Sequence, residues 1–252
     1  MQTLYIGNTL INDIFLGSQR MDDTLQSQPP TLPITDGLVF YVDAGLPASY
    51  AGSGASTVNG LNYVTGTPRT GTLSGGFTQL YGGAFTFSAS AGIPGIPFTD
   101  SGMPSGSQSR TLGSWVYNNN TGGNPLWYGT AATDQGIGMQ QIGTNGGTFR
   151  FYGYANDFDT AVTNMWDRWV YMVGTFDGTN AKIYLNGTLI ATSNRSGWNT
   201  TLSGTLTVGR SQFGGSGGNF VNGYLGQAQI YNRTLSDAEV LENYNRFSSR
   251  FS

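Results

Sequence analysis

The stretch WVYMVGTFDGTNAKIYLNGTLIA, from Trp169 to Ala191, is the strongest indicator of fold class in this chain. Two dipeptides, Asp177-Gly178 and Asn186-Gly187, divide it into three short apolar runs. Both dipeptides accept the positive φ angles of tight hairpin turns, so the stretch predicts a three-strand antiparallel meander. Apolar side chains occupy both faces of the first run, 169–176, which predicts a central strand covered on both sides.

Similar runs occur on both sides of this stretch. From Asp36 onward, segments rich in Val, Ile, Tyr, Phe and Trp alternate with clusters of Gly, Asn and Ser about every ten residues, a spacing typical of all-β domains. This many strands need two packed sheets. The predicted strands are 38–42, 84–88, 111–117, 126–129, 137–142, 149–154, 169–176, 181–185, 189–192, 206–209 and 224–231.

The last predicted strand, 224–231, has the cleanest alternation. Ala228 and Ile230 lie on one face, and Gln227 and Gln229 lie on the other. Alternation of apolar and polar residues predicts a strand with one face in the core and the other in water.

A single helix is predicted after this strand. Ser236 and Glu239 have the spacing of a capping box, and Leu235 and Val240 have the spacing of a hydrophobic staple. The helix is expected to pack on the sandwich through an apolar stripe of Val240, Leu241, Tyr244 and Phe247.

Composition excludes several classes of function. The chain contains no His and no Cys, so it has no thiol nucleophile, imidazole base, His/Cys zinc site or disulfide. With a net charge of −3 and a single Lys, it lacks the basic stripe that nucleic-acid binding needs. Its apolar runs are too short to insert into a membrane, and MQTLYIGNTL has no signal-peptide pattern, which predicts synthesis in the cytoplasm.

The N-terminal region is predicted to be a separate arm. YIGNTL at Tyr5 is echoed ten residues later by FLGSQR at Phe15, and each copy favours a small hairpin. So short a segment cannot bury its own core, so we interpret 1–25 as an anchoring and oligomerisation arm, 26–35 as a Pro-rich linker and 36–252 as the main domain. The residues expected to make the anchoring contacts are Tyr5, Ile6, Leu10, Ile14, Phe15 and Leu16.

Three segments in the second half, 171–191, 206–210 and 223–240, resemble the laminin-G-like, concanavalin A-like jelly-roll family in order and content. The opening GLVFYVDAG at Gly37, with SYAGSG at Ser49, resembles the version common in tailed-phage and bacterial surface proteins. The resemblance covers about residues 36–247 and implies a two-sheet jelly-roll sandwich used for carbohydrate or protein binding, sometimes with calcium.

The arm resembles the N-terminal segments that fasten accessory proteins to phage heads or tails. The leading hypothesis is therefore a non-enzymatic structural protein of a tailed-phage virion, such as a capsid decoration, fibre or tail accessory protein. It would lie on the particle surface, contact other virion proteins, form a homo-oligomer such as a trimer, and display the jelly roll to host-surface glycans. The alternative is a free carbohydrate-binding, lectin-like module.

Sugar binding needs exposed aromatic rings that stack on pyranose faces, surrounded by polar groups that bind the hydroxyls. Trp198, in the segment Gly197-Trp-Asn-Thr, is the first candidate. Trp127, Tyr128, Tyr152 and Tyr154 are the others. Trp115 and Trp169 lie in strong strand patterns and are assigned to the core.

Calcium binding needs several hard oxygen ligands. The richest local supply is Asp134, Asn156, Asp157 and Asp159. The family often has an acidic residue where this chain has Gln227, so no cofactor is expected, and calcium is kept as a minor alternative. Glycoside hydrolysis needs two flanking carboxylates, and only Asp157 and Asp159 are spaced to face one side, so an enzyme is the third hypothesis.

Overall fold

A computed structural model describes residues 31–88, 95–119, 122–143, 147–211 and 221–252, together with the backbone of four short strands before residue 31. The internal contacts divide the chain into two compact units, 1–32 and 33–252. This division falls within the predicted 26–35 linker.

The first unit contains two antiparallel strand pairs. Strand β1 (Leu4–Ile6) pairs with β2 (Thr9–Ile11), and β3 (Phe15–Leu16) pairs with β4 (Gln19–Arg20). The two copies of the repeat therefore each form a two-stranded unit, as predicted. Of the predicted anchoring residues, Ile14 lies outside the described residues.

The described residues of the second unit form sixteen strands, β5 to β20, a short 3-10 turn at Leu80–Gly82 and one α-helix, α1. All eleven strands predicted from the sequence are present, with bounds within three residues of the prediction. They are β5 (Leu38–Asp43), β9 (Ala84–Phe87), β11 (Arg110–Asn118), β12 (Gly123–Gly129), β13 (Gly136–Ile142), β14 (Thr148–Tyr152), β16 (Trp169–Phe176), β17 (Asn180–Leu185), β18 (Thr188–Asn194), β19 (Leu206–Val208) and β20 (Gly223–Tyr231). The strands that the sequence did not reveal are β6 (Thr57–Gly60), β7 (Arg69–Thr72), β8 (Gly76–Thr78), β10 (Ile96–Phe98) and β15 (Phe158–Ala161).

Fourteen of these strands form two antiparallel sheets that pack face to face, and β6 pairs with β7 in a separate two-stranded sheet. One sheet has six strands in the order β10-β19-β12-β13-β14-β15. The other has eight, in the order β18-β17-β16-β11-β20-β9-β8, with β5 also paired to β20. The predicted meander, β16-β17-β18, ends the larger sheet on one side. The chain is therefore the all-β jelly-roll sandwich that was predicted.

The core lies between the sheets and is built mainly from apolar side chains. Leu112, Val170 and Met172 of the larger sheet face Leu126 and Phe151 of the smaller one, and all five are 0% exposed. At about 1.5–3 kcal/mol for each buried large side chain, this interface supplies most of the stabilisation of the sandwich.

The outer face of the larger sheet differs from the prediction. Gln227 and Gln229 are both 0% exposed, so the expectation that this side of β20 faces water is wrong. Gln227 Nε2 donates to Asp43 Oδ2 at 2.9 Å, and Tyr171 Oη donates to Gln229 Oε1 at 2.9 Å. The glutamines can be buried because these partners satisfy their amide groups.

Helix α1 (Asp237–Phe247) covers this polar layer. Its predicted capping box is present, and Leu235 and Val240 are both buried. The predicted stripe is wrong at Leu241, which is 45% exposed, whereas Asn243 is buried. Asn243 lies inside because its Nδ2 donates to Tyr231 Oη and its Oδ1 accepts from Ile34 N. Within the described residues, no helix has the length and apolar run that crossing a membrane requires.

The start of α1 makes stability sensitive to acid. The Arg233 guanidinium, with help from Ser236, lowers the pKa of Glu239 from its ordinary 4.5 to about 2. Because the folded pKa lies below the unfolded one, this stabilisation is complete above about pH 4.5 and is lost as the pH falls towards 2. We expect Glu239→Gln to lower the free energy of unfolding at neutral pH, with the difference from wild type disappearing near pH 2.

Urea denaturation across this pH range measures the effect. Glu242→Gln is the matched control, since this glutamate lies in the same helix with a side chain 52% exposed. A Glu239→Gln difference that stays constant with pH would contradict the assignment.

Candidate functional site

Three loops meet at one end of the smaller sheet. They are 130–135, 153–157 and 195–201, which connect β12 to β13, β14 to β15 and β18 to β19. Asp134 N donates to Tyr154 O at 3.1 Å, and Asn199 N donates to Asp134 O at 2.8 Å. We call these three segments the loop cluster. Every residue proposed from the sequence for glycan or calcium binding, except Tyr128, lies in it or on the adjoining outer face of the smaller sheet.

Trp198 supports the loop cluster from below. The expectation of an exposed ring is wrong for Trp198, because its side chain is only 2% exposed. Its indole packs against Phe151 and Phe176, at centroid distances of 5.0 and 5.4 Å, and Nε1 donates to Asn156 O at 2.9 Å. Trp198 therefore positions the 153–157 loop.

Trp127 and Tyr152 lie on the outer face of the smaller sheet, but neither offers a free ring. Trp127 is 0% exposed because its indole covers the bare backbone of Gly136 and Gly138, where a Cβ would lie 2.3 and 2.7 Å from the ring. Tyr152 packs edge-on against it at 5.0 Å and donates from Oη to Gln140 Oε1. The expectation of exposed rings is wrong for both.

Tyr128 points the opposite way. It is 0% exposed, lies in the core between the sheets and donates from Oη to Pro104 O at 2.9 Å. Successive side chains of a strand alternate between faces, so Trp127 and Tyr128 cannot both contact one ligand. Tyr128 is thus removed from the candidate site.

Asp134 and Asn156 form the polar centre of the loop cluster. Asn156 Nδ2 donates to Asp134 Oδ1 at 2.7 Å, and both residues are half-buried. Asp134 Oδ2 accepts no hydrogen bond from any residue that the structure describes. Gly197 faces this oxygen, and a Cβ there would lie 3.5 Å from it. The cluster therefore presents one unused carboxylate oxygen beside a fixed amide.

The backbone of the cluster is strained. Asp134, Tyr154 and Ala155 have φ angles of +66, +40 and +60°, in the left-handed region. Asp tolerates this region, whereas a side chain such as Tyr costs about 1–2 kcal/mol there. Such outliers concentrate at ligand-binding loops, and here they fix the half-buried Tyr154 next to the Asp134–Asn156 pair through the Asp134 N to Tyr154 O bond.

Arg150 neutralises the remaining carboxylates. Its guanidinium binds Asp159 through two hydrogen bonds of 2.7 Å and lies 3.1 Å from Asp157 Oδ2. Burial raises the pKa of Asp157, and Arg150 offsets part of that effect. A calcium ion needs six to eight oxygen ligands, but the Arg150 guanidinium already pairs with the carboxylates of Asp157 and Asp159. Asp134, Asn156, Asp157 and Asp159 therefore do not fit a calcium site, and the described residues contain no cluster of three acidic metal ligands.

Sequence reasoning missed three residues of this site. Arg150 was detectable only from its alternation with Phe149 and Phe151 in β14. Gly153 and Gly197 gave no local signal, because their importance comes from contacts with Trp198 and Asp134. Chemically, Asp134 Oδ2 can accept a hydrogen bond from a ligand hydroxyl, and the Asn156 amide can bind the same ligand.

Comparison with known proteins places this geometry in context. A sequence model of the concanavalin A-like lectin/glucanases superfamily matches residues 91–241 of this chain. No curated protein matches the chain in sequence.

Solved structures share the fold at low identity. The binding domain of botulinum neurotoxin serotype G superposes with a TM-score of 0.62 at 14% identity, covering 84% of this chain and 51% of that one. The serotype D domain in complex with N-acetylneuraminic acid gives 0.61 at 12%, covering 84% and 51%. Domain 4 of AbnA, a GH43 extracellular arabinanase of Geobacillus stearothermophilus, in complex with arabinotriose, gives 0.58 at 13%, covering 82% and 98%. This chain spans about half the length of the toxin domains.

Proposed function

The chain belongs to the concanavalin A-like lectin/glucanases superfamily, and from that premise we propose that its jelly roll is a non-enzymatic carbohydrate-binding domain whose contact site is the loop cluster. The single observation that carries this proposal is the Asp134–Asn156 pair, in which Asp134 Oδ2 accepts no hydrogen bond from the described part of the chain. A sugar diol donates hydroxyl protons to a carboxylate and accepts from an amide, so the pair matches the chemistry of a carbohydrate.

Two similar structures support this ligand class. Domain 4 of AbnA is in complex with arabinotriose, and the serotype D toxin domain is in complex with N-acetylneuraminic acid. Neither ligand is assigned to this chain on that ground, but both are suitable first probes.

Asp134→Asn tests the proposal. The substitution preserves shape, the tolerance of positive φ and the bond from Asn156, but it replaces the free acceptor with an NH2 donor. Losing one charge-assisted hydrogen bond is worth about 1.5–3 kcal/mol, so the affinity for a bound glycan should fall roughly tenfold to a hundredfold in a calorimetric titration.

Asp36→Asn is the control, because that carboxylate is 83% exposed and pairs with Arg233 instead. Equal affinity for wild type and Asp134→Asn, with unchanged melting temperature, would refute the assignment of the site.

Catalysis is the less supported alternative within the superfamily. Glycoside hydrolysis needs one protonated and one ionised carboxyl group across the bond, whereas Asp157 and Asp159 share one arginine. We therefore expect bound oligosaccharides to remain intact on prolonged incubation, as read by chromatography of reducing ends.

For the biological setting, we propose a virion accessory protein of a tailed phage that displays this domain. The segment GLVFYVDAG at Gly37 resembles tailed-phage and bacterial surface proteins, and the arm resembles segments that fasten phage accessory proteins to the particle. The two strand pairs in unit 1–32 and the Pro-rich linker also support this setting. The partners would be other virion proteins, with the arm making the anchoring contacts and driving homo-oligomer formation.

Removing the arm tests this setting. A chain starting at Pro33 retains the whole second unit, so we expect it to keep its melting temperature and glycan affinity but to lose particle attachment and self-association. The measurements are mass in solution and co-sedimentation with particles. If both chains behave alike, the protein is instead a free lectin-like module.

A further inference from the structure

A row of aromatic side chains crosses the outer face of the larger sheet, on the side away from the smaller sheet. Tyr117 of β11 lies directly opposite Trp169 of β16 on one side and Tyr224 of β20 on the other. Neighbouring strands are about 4.8 Å apart, so the three rings form a continuous line across three strands. Tyr81, from the short turn before β9, contacts Trp169 and Tyr224 at centroid distances of 5.1 and 5.6 Å. We call these four residues the aromatic platform.

The platform is less covered than the next row of the same face, although Phe251 packs against Trp169 at a centroid distance of 4.6 Å. Trp115, which faces Tyr171 in that next row, stacks against Tyr244 of α1 and against Phe251. By contrast, Tyr81, Tyr117 and Tyr224 are half-buried and present ring surface to solvent.

A strained backbone position also supports a ligand at the platform. Tyr81 has φ of +58°, a conformation that costs an aromatic residue about 1–2 kcal/mol. Arg250 holds it there by donating from Nε to Tyr81 O at 2.9 Å.

The size and charge of the platform favour a small neutral ligand. Three half-buried tyrosines and a tryptophan that is 8% exposed offer far less surface than the ~800 Å² that a stable protein interface covers on each partner. Burial, with contributions from Asp167 and from Tyr81 and Tyr224, raises the pKa of Tyr117, so its phenol remains a protonated donor at neutral pH.

We propose that the aromatic platform is a second carbohydrate-binding site, which stacks one or two sugar rings of a neutral glycan on the opposite sheet from the loop cluster. The rings supply flat apolar surface, while the tyrosine hydroxyls supply polar contacts. The domain would then be bivalent and gain avidity on a surface with repeated glycans. This site stands independently of the loop cluster.

The test is a nuclear magnetic resonance titration of the full chain with cellotriose, maltotriose and arabinotriose. The five Trp residues give few indole N–H signals, and Trp169→Phe assigns the relevant one. We expect that signal to shift saturably with at least one trisaccharide, and Tyr117→Ala and Tyr224→Leu each to weaken binding roughly tenfold. Tyr224→Leu keeps apolar packing, so it remains informative if Tyr117→Ala unfolds.

Tyr63→Ala is the control, because Tyr63 is 37% exposed and outside the platform. Asp134→Asn should leave the Trp169 shift intact, which separates this proposal from the loop-cluster proposal. The proposal is overturned if none of the three sugars moves the Trp169 signal, or if the platform variants abolish only self-association in sedimentation experiments, which would make the platform a contact between copies.

Discussion

Phe251→Ala is expected to destabilise the jelly roll by about 3–5 kcal/mol, the usual cost of truncating a fully buried phenylalanine. Phe251 is 3% exposed and stacks on Trp115 and Trp169 at 4.8 and 4.6 Å. Its ring fills a space above Gly226, where a Cβ would lie 2.3 Å away. Truncation leaves a cavity between the sheet and α1 that rigid strands cannot close.

Urea denaturation measures this loss as a lower midpoint at unchanged slope. Phe251→Leu should recover most of the loss, because it restores most of the volume. Leu80→Ala, at a site 61% exposed, should change the free energy of unfolding by under about 0.5 kcal/mol. A Phe251→Ala variant as stable as wild type would show that 248–252 is not part of the folded unit.

Gly153→Ala is expected to have the second large effect, on both stability and binding. A methyl group there would lie 1.8 Å from Trp198 Nε1 and 2.4 Å from the next ring atom. The indole cannot retreat, because Phe151 and Phe176 pack against it. Overpacking of this kind costs about 1–3 kcal/mol, and it breaks the hydrogen bond from Trp198 Nε1 to Asn156 O that positions the 153–157 loop.

Gly197→Ala provides the matched comparison within the same loop cluster. Its methyl group would meet Asp134 Oδ2 at an ordinary contact distance of 3.5 Å, so stability should be unchanged while access to that oxygen narrows. We therefore expect Gly153→Ala to lower both melting temperature and glycan affinity, and Gly197→Ala to lower affinity alone. The opposite pattern would show that the side-chain contacts at these glycines are misassigned.

Local sequence patterns predicted most strands of the sandwich, because tight turns and the alternation of side chains depend on residues that are neighbours in sequence. Asp177 accepts hydrogen bonds from Thr179 N and Asn180 N, and Asn186 adopts φ of +50°, as their turn positions require. The missed strands lack such signals. β7 reads RTGT with little apolar content, and β10 contains Pro97, which is tolerated because this strand lies at the edge of its sheet.

Burial of polar and aromatic side chains could not be read from local pattern. Gln227 can be buried because its amide donates a hydrogen bond to Asp43, which lies 184 residues away in sequence. Trp198 is buried because Gly153 leaves room for its indole. In both cases the decisive partner is distant in sequence, which is why the sequence predicted exposed rings where the structure buries them.

The most direct test of the central claim is to follow the Asn156 side-chain amide signal of the full chain by nuclear magnetic resonance while adding glycans selected on an array of neutral, arabinose-containing and sialylated oligosaccharides. The account predicts that at least one glycan shifts this signal saturably in wild type and much more weakly in Asp134→Asn. If glycans bind without moving the Asn156 signal, or none binds at all, the loop cluster is not a carbohydrate site.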